Sequence, residues 1–198
     1  MPTSKVIQTP IAREIAGASK KKGGIVPMPF KLAPSDLSFA ERAEFSFDNK
    51  VLIDAEPEDV LEVLESVENG RDWLPHFLRA RWMSGDERGP GAVLVESFRF
   101  MKIRLRIVTR EPGRRWVASV EACSIPLASQ MLEDVECTPT DDGKTEFRWR
   151  VYYDVLPEAR PLHPVVRPFF KRFFRDATRG LAAYMATRPS EDDYLTGG

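Results

Sequence analysis

The sequence predicts an α+β domain in which a curved antiparallel sheet wraps around one long C-terminal helix. Residues 162–186 carry large apolar side chains, four phenylalanines among them, at helical spacing. A helix with such an aromatic face must lie against a broad apolar surface. The segments before it alternate apolar and polar residues, as the strands of a half-buried sheet do. A sheet that curls around this helix encloses a hollow, and an apolar hollow is the usual form of a ligand site.

The individual elements have clear local signals. Alternation over residues 45–53 predicts the first strand. Pro57, with acidic residues around it, opens a helix, and a second short helix that includes Trp73 and Phe77 follows. Turn residues rich in glycine, proline and aspartate then separate six further strands, over residues 79–84, 92–100, 102–110, 116–123, 129–137 and 145–153. The predicted sheet therefore has seven strands.

Composition restricts the class of protein. With 198 residues, 42% hydrophobic and 30% charged, the chain has the composition of one globular domain. Its net charge of −1 argues against general attraction to nucleic acid, which needs a basic surplus. Two cysteines, Cys123 and Cys137, give no disulfide framework. Because the sequence also has no apolar run long enough for a membrane span and no secretory signal, we predict a cytoplasmic protein.

The ends of the chain differ from the middle. Residues 1–38 combine lysines, glycines and prolines without periodicity, which predicts a flexible or surface-draped arm rather than a targeting peptide. From its second half onward, Phe30, Leu32, Leu37 and Phe39 could dock as an edge strand or a lid, so we expect that half to be ordered. The folded domain is predicted over residues 39–188, and residues 189–198 form a short acidic tail.

Four side chains are considered as candidates for acid–base catalysis or ligand binding. His76 lies beside the aromatic residues of the short helix and is a weak candidate for acid–base catalysis, whereas His163, at a helix start, is expected to be structural or solvated. Glu133 shares a predicted strand face with Met131, and Arg99 shares one with Val93. Both charged groups either line the hollow or, more often in such strands, pair across the solvent side. No spacing typical of a metal site, a serine-hydrolase elbow or a phosphate loop occurs, so no metal and no cofactor are expected.

Basic residues form a stripe on the predicted surface. They are Arg99, Lys102, Arg104, Arg106, Arg110, Arg114 and Arg115, with Arg167, Lys171, Arg172, Arg175 and Arg179 on the terminal helix. Such a stripe would suit transient contact with an anionic membrane surface or an acidic carrier protein. The alternative is an ordinary charged face whose ion partners, such as Glu121, Asp134 and Glu146, lie on neighbouring strands. The sequence does not indicate an oligomeric state.

The chain resembles the START-like superfamily, also called SRPBCC, which includes polyketide cyclase/dehydrase and birch-pollen-allergen-like proteins. The likeness rests on four segments within about residues 40–187: VLIDAEPEDVLEVLESVENGRDWLPHF, GPGAVLVESF, VTREPGRRW and DDGKTEFRWRV. It implies a helix-grip fold, with an elongated apolar cavity between sheet and helix. The expected wall or core residues are Trp73, Phe77, Val93, Leu105, Trp116, Met131, Phe147, Trp149, Phe169, Phe173 and Tyr184. Of these, Trp149 is assigned to packed sheet core and the others to the ligand site.

Three functions are compatible with these observations. The first is binding or transport of a hydrophobic small molecule, such as a lipid, sterol, isoprenoid or polyketide, because apolar wall candidates far outnumber acid–base groups. The second, which the resemblance implies, is a polyketide aromatase/cyclase or dehydratase that orients a polyketone chain and transfers its protons. The third is an adaptor whose hollow is filled by its own side chains. An open pocket of a few hundred cubic ångströms would separate the first two from the third.

Overall fold

The computed structural model describes residues 28–85 and 87–188. Within these ranges the strands are β1 Phe30–Lys31, β2 Phe45–Ile53, β3 Phe77–Trp82, β4 Val93–Phe98, β5 Lys102–Glu111, β6 Arg115–Cys123, β7 Ala128–Pro139 and β8 Thr145–Val155. The α-helices are α1 Pro57–Glu65, α2 Gly70–Trp73 and α3 His163–Met185. Two 3-10 turns, Leu37–Glu41 and Pro157–Ala159, complete this part of the chain.

Seven of the strands form one continuous antiparallel path, in the order β2-β8-β7-β6-β5-β4-β3. Strand β8 illustrates why the sheet forms, because every second residue from Thr145 to Val155 is buried while the residues between them are partly exposed. One face of the sheet therefore supplies a core and the other meets solvent. The predicted helix-grip α+β architecture, with seven strands around a long terminal helix, is confirmed.

Helix α3 lies across the concave face of the sheet. The ring of Phe174 contacts Phe47 of β2 and Trp149 of β8, at centroid distances of 5.9 and 5.4 Å. Its neighbour Phe173 contacts Phe98 of β4 from the other side, at 5.4 Å. Adjacent phenylalanines on one helix thus reach both ends of the curved sheet. This arrangement buries Phe173 and Phe174 of α3 in the core, whereas Phe169 one turn earlier stays partly exposed.

The connection from α2 to β3 corrects one prediction. Phe77 was expected in the short helix, but it is the first residue of β3. The helix ends before Pro75, since a residue that precedes proline avoids the helical conformation. His76 then has a positive φ of 60°, which turns the chain into the strand. Local backbone chemistry therefore overrides the apolar spacing that suggested a longer helix.

The segment before β2 fills a gap in the sheet. Pairing between β6 and β7 ends at Ser119 and Leu132, and beyond that point the two strands separate. Strand β1 pairs with the free part of β6, and Ala33 bridges Gln130 of β7. On the outer face Phe39 is fully buried in a small second core. The predicted flexible arm and acidic tail concern mainly residues 1–27 and 189–198, which lie outside the described residues, and the boundary at residue 39 stays a prediction.

Candidate ligand cavity

A cavity of about 100 Å³ lies between the concave face of the sheet and α3. Its walls are mostly apolar and come from every strand between β4 and β8, from α2 and from α3. They include Trp73, Leu94, Phe98, Leu105, Trp116, Val120, Trp149, Phe173 and Phe174. Three tryptophans in one small enclosure give it broad, flat surfaces, which suit an aromatic or other rigid apolar group.

A second hollow, of about 290 Å³, borders this cavity at the protein surface. We call it the mouth groove. It is formed by Phe100, the turn between β6 and β7, and the first half of α3, where Val165 is 73% and Phe169 44% exposed. Cavity and groove share five wall residues: Ile125, Leu127, Ala159, Val166 and Phe170. These side chains form the partition between the two spaces, which together reach the few hundred cubic ångströms typical of ligand sites.

Two glutamates line the cavity. Glu133 of β7 is only 5% exposed, and its Oε2 accepts a hydrogen bond of 3.2 Å from Trp149 Nε1. Its neighbours across the sheet are Ala118 and Val151. Glu96 of β4 likewise lies between apolar neighbours, Ala80 on β3 and Ile103 on β5. Neither carboxyl therefore has a charged partner beside it in the sheet.

Burial changes the protonation of both groups. Removal from water raises the pKa of Glu96 to about 8, and the charge of Glu133 contributes in the same direction. Burial also raises the pKa of Glu133 to about 7, although the Trp149 N–H opposes the shift by stabilising the carboxylate. The cavity therefore contains two carboxyl groups that exchange protons near neutral pH, where acid–base groups are most effective.

A second polar cluster lies at the start of α3. Tyr153 and His163 are joined by a hydrogen bond of 3.0 Å between Oη and Nε2, and both line the cavity. The guanidinium of Arg167 also lines it and lies over the rings of Phe45 and Phe47, 5.9 and 5.8 Å from their centroids. Burial and the nearby Arg167 lower the pKa of His163, which favours the neutral imidazole. His163, expected to be structural or solvated, is partly buried at the edge of the cavity lining and packs on Phe45, with 4.3 Å between the ring centroids.

The structure places the predicted wall and core residues in three groups. Those that line the cavity are Trp73, Leu105, Trp116, Met131, Trp149 and Phe173, so the assignment of Trp149 to packed sheet core alone is wrong. Phe169 borders the mouth groove instead. The remaining four, Phe77, Val93, Phe147 and Tyr184, are outside the cavity lining. Phe147 is fully buried in the core, and its ring packs edge-on against that of Trp149, with 6.3 Å between the centroids.

Strand β4 faces the opposite way from the prediction. Leu94, Glu96 and Phe98 line the cavity, whereas Val93 and Arg99 do not. The segment is apolar at three consecutive positions, 93–95, so alternation alone does not define its inner face. Pairing of Leu94 with Leu105 fixes the register instead. Glu96 was missed for this reason.

Of the other candidates for acid–base chemistry, two are exposed and one is buried in the cavity wall. Arg99 is exposed just beyond β4, and His76 is also exposed, with its ring 5.6 Å from that of Phe100. Neither contributes to the cavity lining. Glu133, in contrast, lies in the cavity wall, so the expectation of a solvent-side ion pair is wrong for this residue.

Much of the basic stripe is occupied by intramolecular ion pairs. Arg115 pairs with Asp134 at 2.9 Å, and Arg106 pairs with Glu121. Arg110 reaches α1, where it contacts Glu58 at 2.7 Å and Glu65 at 2.9 Å. The ordinary charged-face interpretation therefore accounts for a large part of the stripe on the strands.

Helix composition and the grouping of acidic, histidine and cysteine side chains bear on membrane and metal binding. Across residues 28–85 and 87–188, no helix combines the length and apolar character needed to cross a membrane. In the same ranges no three acidic, histidine or cysteine side chains converge as metal ligands. Both cysteines are free thiols, and burial raises their pKa values.

Comparisons with known proteins agree on the family and the fold. A family model described as polyketide cyclase/dehydrase and lipid transport matches residues 44–186. A Mycobacterium tuberculosis protein, described as uncharacterized, is 26% identical over 155 residues, which are 77% of this chain and 91% of that protein.

Among solved structures, the Zhui aromatase/cyclase from Streptomyces sp. R1128 superimposes with a TM-score of 0.59 at 18% identity, covering 75% of this chain and 97% of that one. A START superfamily protein from Mycobacterium smegmatis gives 0.56 at 12% identity, with 71% and 98% covered. Ara h 8.0201 gives 0.58 at 12% identity, with 73% and 99% covered. At these identities the structural likeness shows the fold alone.

Proposed function

Because the chain belongs to the polyketide cyclase/dehydrase and lipid transport family, we propose that it binds or transports a hydrophobic small molecule in the cavity. The ligand class is a lipid, sterol, isoprenoid or polyketide. The observation that carries the proposal is an apolar cavity between the sheet and α3 that adjoins an apolar groove at the surface and shares five wall residues with it. Such an arrangement gives a ligand both a dry site and a route to it.

The size of the cavity determines how a ligand would enter. At about 100 Å³ the enclosed space holds a small fragment, whereas a complete lipid-sized ligand needs the mouth groove as well. The partition side chains, such as Phe170 and Val166, would therefore have to rotate when a ligand binds. Both belong to the first half of α3, so ligand entry is coupled to that part of the helix. Each 100 Å² of apolar ligand surface buried is worth about 2.5 kcal/mol, before the entropy lost on binding.

A polyketide aromatase/cyclase or dehydratase is the second candidate function. The specific observation in its favour is the presence of Glu96 and Glu133 in the cavity, with pKa values of about 8 and about 7. A protonated carboxyl can donate to a ketone oxygen, and an ionised one can accept an α-proton. The same cavity would then hold a polyketone chain and convert it.

Mass spectrometry of the freshly purified protein under native conditions tests both functions. A co-purifying small molecule supports binding or transport, and turnover of a polyketone thioester supports the enzyme. An absence of any ligand, together with no binding of an apolar probe, would support an adaptor with a closed core.

A matched pair of variants makes the probe measurement specific. Ala128 lines the cavity, whereas Ala183 is an exposed residue of α3. We expect Ala128→Phe to fill the cavity and abolish the fluorescence gain of the uncharged probe N-phenylnaphthylamine. The control Ala183→Phe should bind this probe like the unmodified protein. Equal binding by both variants would contradict a site in the cavity.

The mouth groove also bears on partners and location. Exposed Val165 and Phe169 lie on the same helical segment as Arg167 and Lys171. This combination would suit transient contact with an anionic membrane surface or an acidic carrier during ligand delivery. Sedimentation with phosphatidylglycerol vesicles, lost in Phe169→Ser, would support the membrane contact. A cytoplasmic location stays a prediction from the cysteine usage.

A further inference from the structure

We propose that the ligand of the cavity carries a basic amine, and that its ammonium group binds to the carboxyl groups of Glu96 and Glu133, which both line this cavity. This inference rests on the proposed binding function and adds the chemical class of the ligand. The ligand is then an apolar, preferably aromatic, primary or secondary amine rather than a hydrocarbon or a fatty acid.

The first argument compares these carboxyl groups with the other buried carboxyl groups of the described residues. Glu65 is paired with Arg110 at 2.9 Å. Asp134 is paired with Arg115 and Arg150, each at 2.9 Å. Buried carboxylates in this protein thus have arginine partners, as burial of a charge requires. Glu133 is equally buried but has only the neutral Trp149 N–H as a partner.

The second argument is that the missing cation is not supplied by the cavity itself. Arg167 is the arginine in the lining, and it lies over two phenylalanine rings beside the Tyr153–His163 hydrogen bond. The sheet neighbours of both carboxyl groups are apolar: Ala80 and Ile103 beside Glu96, and Ala118 and Val151 beside Glu133. Within the described residues, therefore, neither carboxyl has an ion-pair partner in the cavity wall, and ionised carboxylates there would give this part of the cavity a negative potential.

The third argument concerns the walls around the pair. Trp73, Trp116 and Trp149 line the same enclosure, and tryptophan faces attract cations more strongly than other aromatic side chains do. An ammonium group would gain ion pairs with the carboxylates and contacts with these rings. A ligand carboxylate would meet like charges and be rejected.

Binding of an amine is linked to protons in a way that binding of a neutral ligand is not. An ammonium stabilises the ionised carboxylates, so the pair should release protons when the amine binds. Among the other titratable groups that face the cavity, burial raises the pKa values of Cys123 and Tyr153, and burial and Arg167 lower the pKa of His163. The Glu96→Gln and Glu133→Gln variants therefore separate proton release by the carboxyl groups from any contribution of His163.

Titration calorimetry with three probes of one shape tests the proposal: phenylbutylamine, phenylbutanol and phenylbutyrate. We expect the amine to bind at least about tenfold more tightly than the alcohol, and the carboxylate to bind most weakly. The affinity for the amine should rise from about pH 6 to about pH 8, and its heat of binding should vary between buffers as protons are released.

Variants assign the effect to the pair. Glu96→Gln and Glu133→Gln should each remove most of the preference for amine over alcohol and the proton release. Glu62→Gln on the exposed side of α1 is the matched control and should change neither. The proton release is measured on the unmodified protein, so the test does not depend on how well any variant folds.

The outcomes separate this inference from the proposed function. Equal or tighter binding of the alcohol, without proton release, overturns the amine while leaving a cavity for apolar ligands. Binding of none of the three probes overturns both. Retention of the amine preference in both carboxyl variants would overturn the assignment of the cation site to Glu96 and Glu133.

Discussion

The stability of the ligand-free protein should fall as the pH rises through neutrality, and Glu96→Gln should remove much of this dependence. In the unfolded chain Glu96 ionises near the ordinary glutamate pKa of 4.5, whereas the folded protein holds its proton to about pH 8. Between these values the folded state binds more protons than the unfolded state. Stability contributed by the protonated carboxyl is therefore complete below the unfolded pKa and is lost as the pH rises toward the folded pKa.

The magnitude follows from the shift. Each pH unit in this interval reduces the free energy of unfolding by about 1.4 kcal/mol, so Glu96 accounts for at most about 5 kcal/mol in total. From about pH 6 to about pH 8 the expected loss is roughly 2 kcal/mol, because the slope declines as the folded pKa is approached. Glu133, with a pKa of about 7, adds a smaller loss below pH 7.

Urea unfolding, followed by tryptophan fluorescence at several pH values, measures this effect. The difference between the unmodified protein and Glu96→Gln cancels the contributions of groups such as Glu65 and His163, which titrate in both. We expect the variant to gain about 2 kcal/mol relative to the unmodified protein between pH 6 and pH 8. The exposed Glu62→Gln should follow the unmodified protein throughout. Parallel curves for Glu96→Gln and the unmodified protein would refute the placement of this carboxyl in a dry cavity.

Three further changes test the packing around the cavity. Gly180→Ala should lower the urea midpoint, because the new Cβ would lie 2.2 Å from the carbonyl oxygen of Trp73. Alanine normally favours a helix over glycine by about 1 kcal/mol, so a raised midpoint would contradict this contact. Phe147→Ala should reduce the free energy of unfolding in urea by about 3–5 kcal/mol, whereas Phe173→Ala beside the cavity should reduce it less and alter binding of N-phenylnaphthylamine. Equal losses of stability with unchanged probe binding would indicate a solid core. Leu32→Ala should open the cavity wall where the segment after β1 fills the gap between β6 and β7, so stopped-flow fluorescence should detect faster release of the same probe. An unchanged release rate would exclude this segment as a barrier to release.

The fold was predictable because its strongest patterns are strict. On β8 apolar residues alternate with charged ones from Glu146 to Val151, and burial alternates along the whole strand from Thr145 to Val155. On α3 the phenylalanine pairs leave no alternative to burial against a broad surface. These are local patterns whose physical cause, a face that must leave water, acts within one element. The sequence therefore determines them with little help from the rest of the chain.

The face of β4 was not predictable in the same way. Residues 93–95 are all apolar, and a strand that is apolar on both sides gives no information about which side is inner. The answer depends on pairing with β5, in particular on Leu94 opposite Leu105. An error of one residue reverses the inner and outer faces of the strand. For this reason the sequence indicated Arg99, rather than Glu96, as a candidate for acid–base chemistry.

Adjacent acids on β7 show what knowledge of the register would add. Glu133 and Asp134 are both buried, yet they point to opposite faces of the sheet. Asp134 lies opposite Arg150, so its charge is neutralised within the sheet, whereas Glu133 lies between Ala118 and Val151. Glu96 occupies the same kind of position between two apolar neighbours. A carboxyl with apolar residues on both adjoining strands has no partner to justify its burial. In a sheet that surrounds a hollow, we propose that such a carboxyl meets a ligand, and strand pairing is what distinguishes it from an acid that only stabilises the sheet.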